Sequence, residues 1–245
     1  MYWLQDAWAD FMRKMYVCFI VEDRWKMMLT GLGVTLKITF FALIVGLVIG
    51  ICMALVRATW DRNGAAMHKG WRKLLLRIAN RISVIYITFM RGTPVMVQLL
   101  IWYFVILVSS NNKQLIAICA FGINSGAYVA EIFRAGIMSI DYGQTEAGRS
   151  LGFNYVQTMF YIIIPQVLKN VLPTLLNEFI ALLKETSVSG YVGVLDLTRA
   201  GNAIRGVTFS AFMPLIAVAL IYLAIVMLLT WIVGIIERRL RKSER

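Results

Sequence analysis

The feature that most constrains this chain is a succession of five predominantly apolar stretches, at residues 30–56, 83–108, 115–140, 171–191 and 212–236. Each is long enough to cross about 30 Å of hydrocarbon, which takes roughly 20 helical residues. A lipid interior offers backbone amides no water, so only helices or a closed barrel can span it. The short alternating segments of a barrel are absent, and the expected fold is all-α: a polytopic membrane protein with five transmembrane helices. Composition agrees, since 60% of the 245 residues are hydrophobic and only 16% charged, against about 25% charged in a soluble domain. No Gly/Ser/Pro linker divides the chain. A single membrane domain over 1–245 is expected, with an outer segment at 1–28, a five-helix core at 29–236 and a basic tail at 237–245.

The formal charge of +12 would suit nucleic acid if it were gathered on one face of a soluble domain. Instead the cations flank the spans. Arg57, Arg62, Lys69, Arg72, Lys73, Arg77 and Arg81 lie between the first two, and "RRLRKSER" closes the chain. The positive-inside rule puts both groups on the cytoplasmic side, so no nucleic-acid partner is expected. With five spans the N-terminus is then outside and the C-terminus inside, and the segment between spans three and four is cytoplasmic. Residues 1–26 mix Trp3, Trp8, Phe11, Met12 and Met15 with Asp6, Asp10, Arg13 and Lys14. That pattern suits an N-terminal helix lying along the outer interface or one loosely packed outside. It lacks the basic start of a signal peptide. Cys18, Cys52 and Cys119 have no paired spacing and read as packing residues, while His68 reads as a solvated loop histidine. Gly46 and Gly50, like Gly122 and Gly126, sit four apart, a spacing that lets helix backbones meet within the chain or between subunits.

Polar residues interrupt three spans. In "MRGTPVMVQLL", Pro94 offers no N–H and crowds the carbonyl of Met90, so the second span must break or kink. Two readings of Arg91, Gly92, Thr93, Pro94 and Gln98 stand side by side: a break that frees backbone groups for a solute, or a structural kink with Arg91 reaching lipid phosphates. In the third span Asn124, Tyr128 and Glu131 share one helical face, and Glu131 with Arg134 forms an i, i+3 pair that is either structural or part of a pathway. The fourth span holds Glu178, Lys184 and Glu185. Each mid-membrane charge costs roughly 2.5–3.5 kcal/mol, against only about 3–5 kcal/mol returned by its apolar residues. This helix must therefore face protein or water. Thr174, Glu178, Ala181 and Glu185 give it one polar face, with Asn177 beside Glu178. Glu178 and Asn177 suit the cation and a second polar group of a solute, and a structural ion pair is the alternative for Glu178.

Catalytic signatures are missing. The sequence has no phosphate-binding glycine loop and no histidine pair for a metal. No enzyme activity, catalytic residue, metal or cofactor is expected on this chain.

The stretch "TEAGRSLGFNYVQTMFYIIIP" resembles the cytoplasmic EAA loop of ATP-binding-cassette (ABC) importer permeases. Glu146-Ala147-Gly148 is followed after three residues by Gly152 and after nine more by Ile162-Ile163-Ile164-Pro165. Gly148 replaces the second alanine and should loosen its helix; Ile164 replaces leucine. "TLKIT", "RGTPVMVQL", "SGAYVAEIFRAGI", "GQTEAGRSLG" and "NEFIALLKETS" are similar in order to signatures of the polar amino acid permeases, from about Leu29 onward. The resemblance implies a permease subunit of the bacterial inner membrane that moves a polar amino acid by alternating access. It implies a second permease subunit, a pair of ATPase subunits that hold the ATP and magnesium, and an extracytoplasmic binding protein. Thr174, Asn177, Glu178, Tyr128 and Gln98 become candidate substrate ligands. Within the EAA loop, 143–165, the residues Gly143, Gln144, Glu146, Ala147, Gly148, Ser150, Leu151 and Gly152 become candidate ATPase contacts, part of a coupling helix. Arg91, Gly92, Thr93, Pro94, Glu131, Arg134, Pro165 and Lys184 are candidate structural or gating residues. Gly152 is expected to turn the chain between two short helices, and Pro165 to end the cytoplasmic segment. The rival reading is an ion-coupled secondary transporter using Glu178 and Glu131.

Overall fold

The computed structural model describes residues 2–65, 67–68 and 70–242, and every regular element among them is helical. Helix α1 (Tyr2–Met15) carries a stacked Trp8–Phe11 pair and a Lys14–Asp10 ion pair of 2.5 Å. A widened turn at Tyr16–Ile20 follows, and then Glu22 and Asp23, both at positive φ (55° and 54°), redirect the chain into α2 (Arg24–Asn63). Helix α2 thus begins inside the expected outer segment 1–28. At 40 residues, α2 is about 60 Å long, twice the hydrocarbon thickness. It overruns its apolar stretch because arginine and lysine are good helix formers once hydropathy stops mattering.

The same effect corrects the expected basic loop. Arg57 and Arg62 belong to the end of α2, while Arg72, Lys73, Arg77 and Arg81 belong to α3 (Trp71–Gly92). Only residues 64–70 connect them, with His68 exposed there; Lys69 lies outside the described residues. After α3, the chain is extended at Thr93 and Pro94 and re-enters helix as α4 (Val95–Ile101), continued by a wide turn to Ile106. The two pieces meet at 108°. Among the described residues four helical stretches are long and apolar enough to cross a membrane, and taking this bent pair as one span makes five.

Helix α5 (Lys113–Ser139) is the centre, buried along most of its length by small residues. The two glycine pairs fit into each other, which makes them an intrachain seam. A methyl at Gly46 would meet Gly122 O and Gly126 N at 3.2 Å, and one at Gly50 would meet Val129 Cγ1 at 2.5 Å. Two larger apolar clusters and a small third one around Ile87, Ala127 and Ala130 lie along α5. One of the larger two joins Ile38 and Ala42 to Leu99, Phe121 and Leu182; the other joins Ala54 and Ala58 to Phe133, Val167 and Val171. Cys18 is buried, but Cys52 is exposed and packs no core.

After α5 come two short helices, α6 (Tyr142–Ser150) and α7 (Tyr155–Thr158), a wide turn at Met159–Ile163, and α8 (Ile164–Glu185) running on into a 3₁₀ turn to Val192. Helix α9 (Leu197–Thr208) was not expected from the apolar runs. Its signal is modest: an Asp196 N-cap, then Leu197, Ala200, Gly201 and Ile204, all buried, at helical spacing. Helix α10 (Phe212–Lys242) closes the chain and takes in residues 237–242 of the expected tail; residues 243–245 lie outside the described residues.

Candidate functional site

Polar groups gather around α5 in three places. The first is the break at Pro94. The carbonyl that this proline deprives of a partner is that of Met90, four residues back. It accepts from Gln98 Nε2 at 2.9 Å and from Asn124 Nδ2 at 3.1 Å. Gln98 Nε2 also reaches Thr93 O at 3.2 Å and Thr93 Oγ1 at 2.6 Å, its Oε1 accepts from Asn124 at 2.9 Å, and Thr93 Oγ1 donates to Phe89 O at 2.9 Å. Gln98 is 4% exposed and Asn124 2%. The candidate ligand Gln98 therefore has its amide committed to bracing the break. Asn124 was placed on the polar face of span three, but its tie to span two is visible only once the break brings α4 against α5.

The second gathering joins α2, α3 and α5. Arg134 grips Glu131 through Nη2 at 3.0 Å and Nε at 3.3 Å, and reaches Asp61 on α2 at 3.3 Å. Arg91 stands 4.0 Å from Glu131, with its guanidinium 5.3 Å from the centre of the Tyr128 ring. The Glu131–Arg134 pair forms as expected. Glu131 and the Tyr128 ring both lie within reach of Arg91 on the neighbouring helix. All four charged residues are a quarter to a half exposed, so the network fixes geometry more than it stabilises.

In the third, Ser125 on α5 donates to Glu178 Oε1 on α8 at 3.0 Å. Glu178 is half-buried, whereas Thr174, Asn177 and Lys184 are exposed on this single chain. Ser125 was missed in the sequence because it lies one residue round from the Asn124 face. Lys184, in the last turn of α8, places its charge where the carbonyl ends of the helix favour a cation.

The loop from α6 to α8 departs from expectation at Gly148 and Pro165. Gly152 sits at φ +83°, a conformation only glycine takes without strain, and turns the chain after α6. Asp141 caps α6 by accepting from Gly143 N at 2.6 Å, and Asn154 with Gln157 forms a reciprocal cap on α7. Gly148, expected to loosen α6, is buried within it. A methyl there would meet Thr158 Cγ2 at 2.8 Å and Ile162 Cδ1 at 2.9 Å, so the missing side chain lets α6 close onto the chain that returns past it. Gln144, Glu146, Ala147, Ser150 and Leu151 are all exposed. Pro165 does not end the segment: it occupies the first turn of α8 inside a helical run from Tyr155 to Val192. The wide turn just before it, with Ile164 N bonded to Met159 O, relieves the crowding that the ring would otherwise cause.

Residues 46–242 match the family of binding-protein-dependent transport system inner membrane components. The chain belongs to this family. It is 36% identical to the arginine transport system permease protein ArtQ of Bacillus subtilis over 219 residues, 88% of this chain and 93% of that one. It is equally similar, over the same shares, to the glutamine transport system permease protein GlnP of Escherichia coli K12. A crystal structure of an amino acid ABC transporter with histidines superposes at a TM-score of 0.77, with 37% identity over 90% of this chain and 98% of that one. The MetNI methionine ABC transporter, at 21% identity, shares the fold, with a TM-score of 0.73 over 88% of this chain and 97% of that one. Membership makes this chain a multi-pass inner-membrane permease subunit of an ABC importer, and the ion-coupled alternative built on Glu178 and Glu131 is set aside.

Proposed function

We propose that this chain carries a polar amino acid inward by alternating access, driven by a separate ATPase dimer that seats the exposed face of α6. ATP and magnesium belong to that partner. A second permease subunit faces the exposed residues of α8, and an extracytoplasmic binding protein delivers the substrate. The N-terminus lies outside and α6 inside, which the basic ends of α2 and α3 and the C-terminal cations support.

One observation carries the coupling: the two short helices joined at Gly152, whose φ of +83° falls at the glycine of the EAA pattern. Proline cannot adopt that angle. In the complex reconstituted with its ATPase and binding protein, Gly152→Pro should insert normally and lose substrate-stimulated ATP hydrolysis. Normal stimulation would refute the lever.

For the substrate, Glu178 is the anchor for an ammonium group, held in position by Ser125, with Asn177, Thr174 and Tyr128 lining the same path and Gln98 supporting its wall. Glu178→Gln keeps shape and hydrogen bonding while removing charge. Transport should fall by about tenfold or more, a charge-assisted bond being worth roughly 1.5–3 kcal/mol, with assembly and basal ATP hydrolysis retained. Wild-type transport would eliminate this role.

A further inference from the structure

The first residues of the EAA-like segment are tied to the membrane helices by a side chain outside it. Helix α5 ends at Ser139, and the chain is extended at Ile140 and Asp141, with ψ of 128° and 135°. Past Ser139 the backbone offers the last carbonyls of α5 only one long bond, from Ile140 N–H to Ile137 O at 3.4 Å. The guanidinium of Arg62, from the final turn of α2, takes them instead: Nη2 donates to Ile137 O and to Ile140 O, the latter at 3.1 Å. Its Nη1 reaches Thr145 Oγ1 on α6 at 3.4 Å. Thr145 and Gly148 are the buried residues of α6, so this contact is made on the face turned toward the spans.

Only arginine suits this place. A planar fork can hold two carbonyls and a hydroxyl at once, whereas a lysine ammonium is a point charge that cannot bridge them. The preceding residue, Asp61, is engaged with Arg134, which leaves the Arg62 charge to face the carbonyl end of α5. Among the described residues, the other side-chain tie from α6 to a span, Gln166 Nε2 to Gln144 Oε1, is equally long at 3.4 Å but joins two neutral groups, and it leads to α8.

We infer that Arg62 is a positioning residue for coupling, a strut that makes the ends of α2 and α5 follow α6 when α6 is displaced. This rests on the coupling reading above. Movement of α6 without the strut would flex the extended link at Ile140–Asp141 and stop there. With it, the displacement enters α2 and α5 together, the two helices that carry Asp61, Glu131 and Arg134.

Thr145→Val isolates the strut, because it leaves both α5 carbonyls capped and cuts only the end on α6. The complete complex in vesicles, with its ATPase and binding protein, is assayed with radiolabelled arginine and glutamine for solute moved per ATP hydrolysed. We expect the ratio to fall about fivefold for Thr145→Val and about tenfold for Arg62→Lys, the scale of one hydrogen bond to a charged group. ATP hydrolysis and the melting temperature of the Thr145→Val complex should be unchanged, which a purely structural role would not predict for the ratio. The double variant should be no worse than Arg62→Lys alone, since both cut one link. Wild-type ratios in the single variants, or additive losses in the double, overturn the strut. Where Arg62→Lys fails to assemble, a wild-type ratio in Thr145→Val overturns it alone. If Gly152→Pro uncouples and the strut variants do not, only the strut is lost; if Gly152→Pro couples normally, the coupling reading itself is lost.

Discussion

At Pro94 the chain bends through 108°, whereas at Pro165 it runs on as helix from Tyr155 to Val192. Both prolines sit in apolar sequence and both crowd the carbonyl four residues earlier, Met90 in one case and Tyr161 in the other. What separates them is who receives the displaced backbone groups. Around Pro94, two side chains, Gln98 and Asn124, close on Met90 O, and an extended Thr93 gives the chain room to leave the helix. Around Pro165 no side chain among the described residues closes on Tyr161 O; Gln166 Nε2 donates to the next carbonyl, Ile162 O, at 2.9 Å, and one widened turn spreads the misfit along the backbone. A proline therefore sets the problem, and its neighbours choose between a break and a strained but continuous helix.

This comparison can be broken most severely at Gln98. Gln98→Leu removes the donor to Met90 O, Thr93 O and Thr93 Oγ1 and one of the two acceptors of the buried Asn124 amide, leaving it only Met90 O. It should cost about 3 kcal/mol and lower the melting temperature of the detergent-solubilised complex. A variant that melts like the wild type but fails to transport would instead make Gln98 a ligand. Next comes Gly148→Val, which forces Thr158 and Ile162 away from α6. About 2 kcal/mol of overpacking is expected, and an unchanged melting temperature would show that α6 does not need its close seat. The smallest effect belongs to Pro165→Ala, within about 0.5 kcal/mol, because the widened turn already accommodates the ring. A large loss there, in the same melting assay, would mean that Pro165 rather than the turn shapes the entry to α8.

The sequence made five spans legible because length and apolarity are what a bilayer demands, and it placed a break at Pro94 because the missing N–H is a local fact. Glu131 and Arg134, three apart on one helix, were readable for the same reason. Gln98 as a brace, Ser125 beside Glu178 and Arg62 beneath α5 were not, since each acts on a partner 8 to 78 residues away whose position depends on how the helices pack. Pro165 misled because proline rules describe the ring and not the turn before it. Helix α9 was overlooked because twelve amphipathic residues fall below the length that marks a span, although its cap and spacing were on view.

The glycine seam between α2 and α5 has a mechanical consequence. Gly46 and Gly50 fit against Gly122, Gly126 and Val129 with almost no side-chain padding, so sliding one helix past the other by a single residue would drive Val45, Leu47, Ile49 or Ile51 into space that only a hydrogen atom now fills. Such an interlock resists shear far better than a layer of leucines, whose rotamers can give way. These two helices therefore move as one body, and rearrangement within the subunit must be carried by the parts that rest on that body through side chains: the bent α3–α4 pair, α8 and α10.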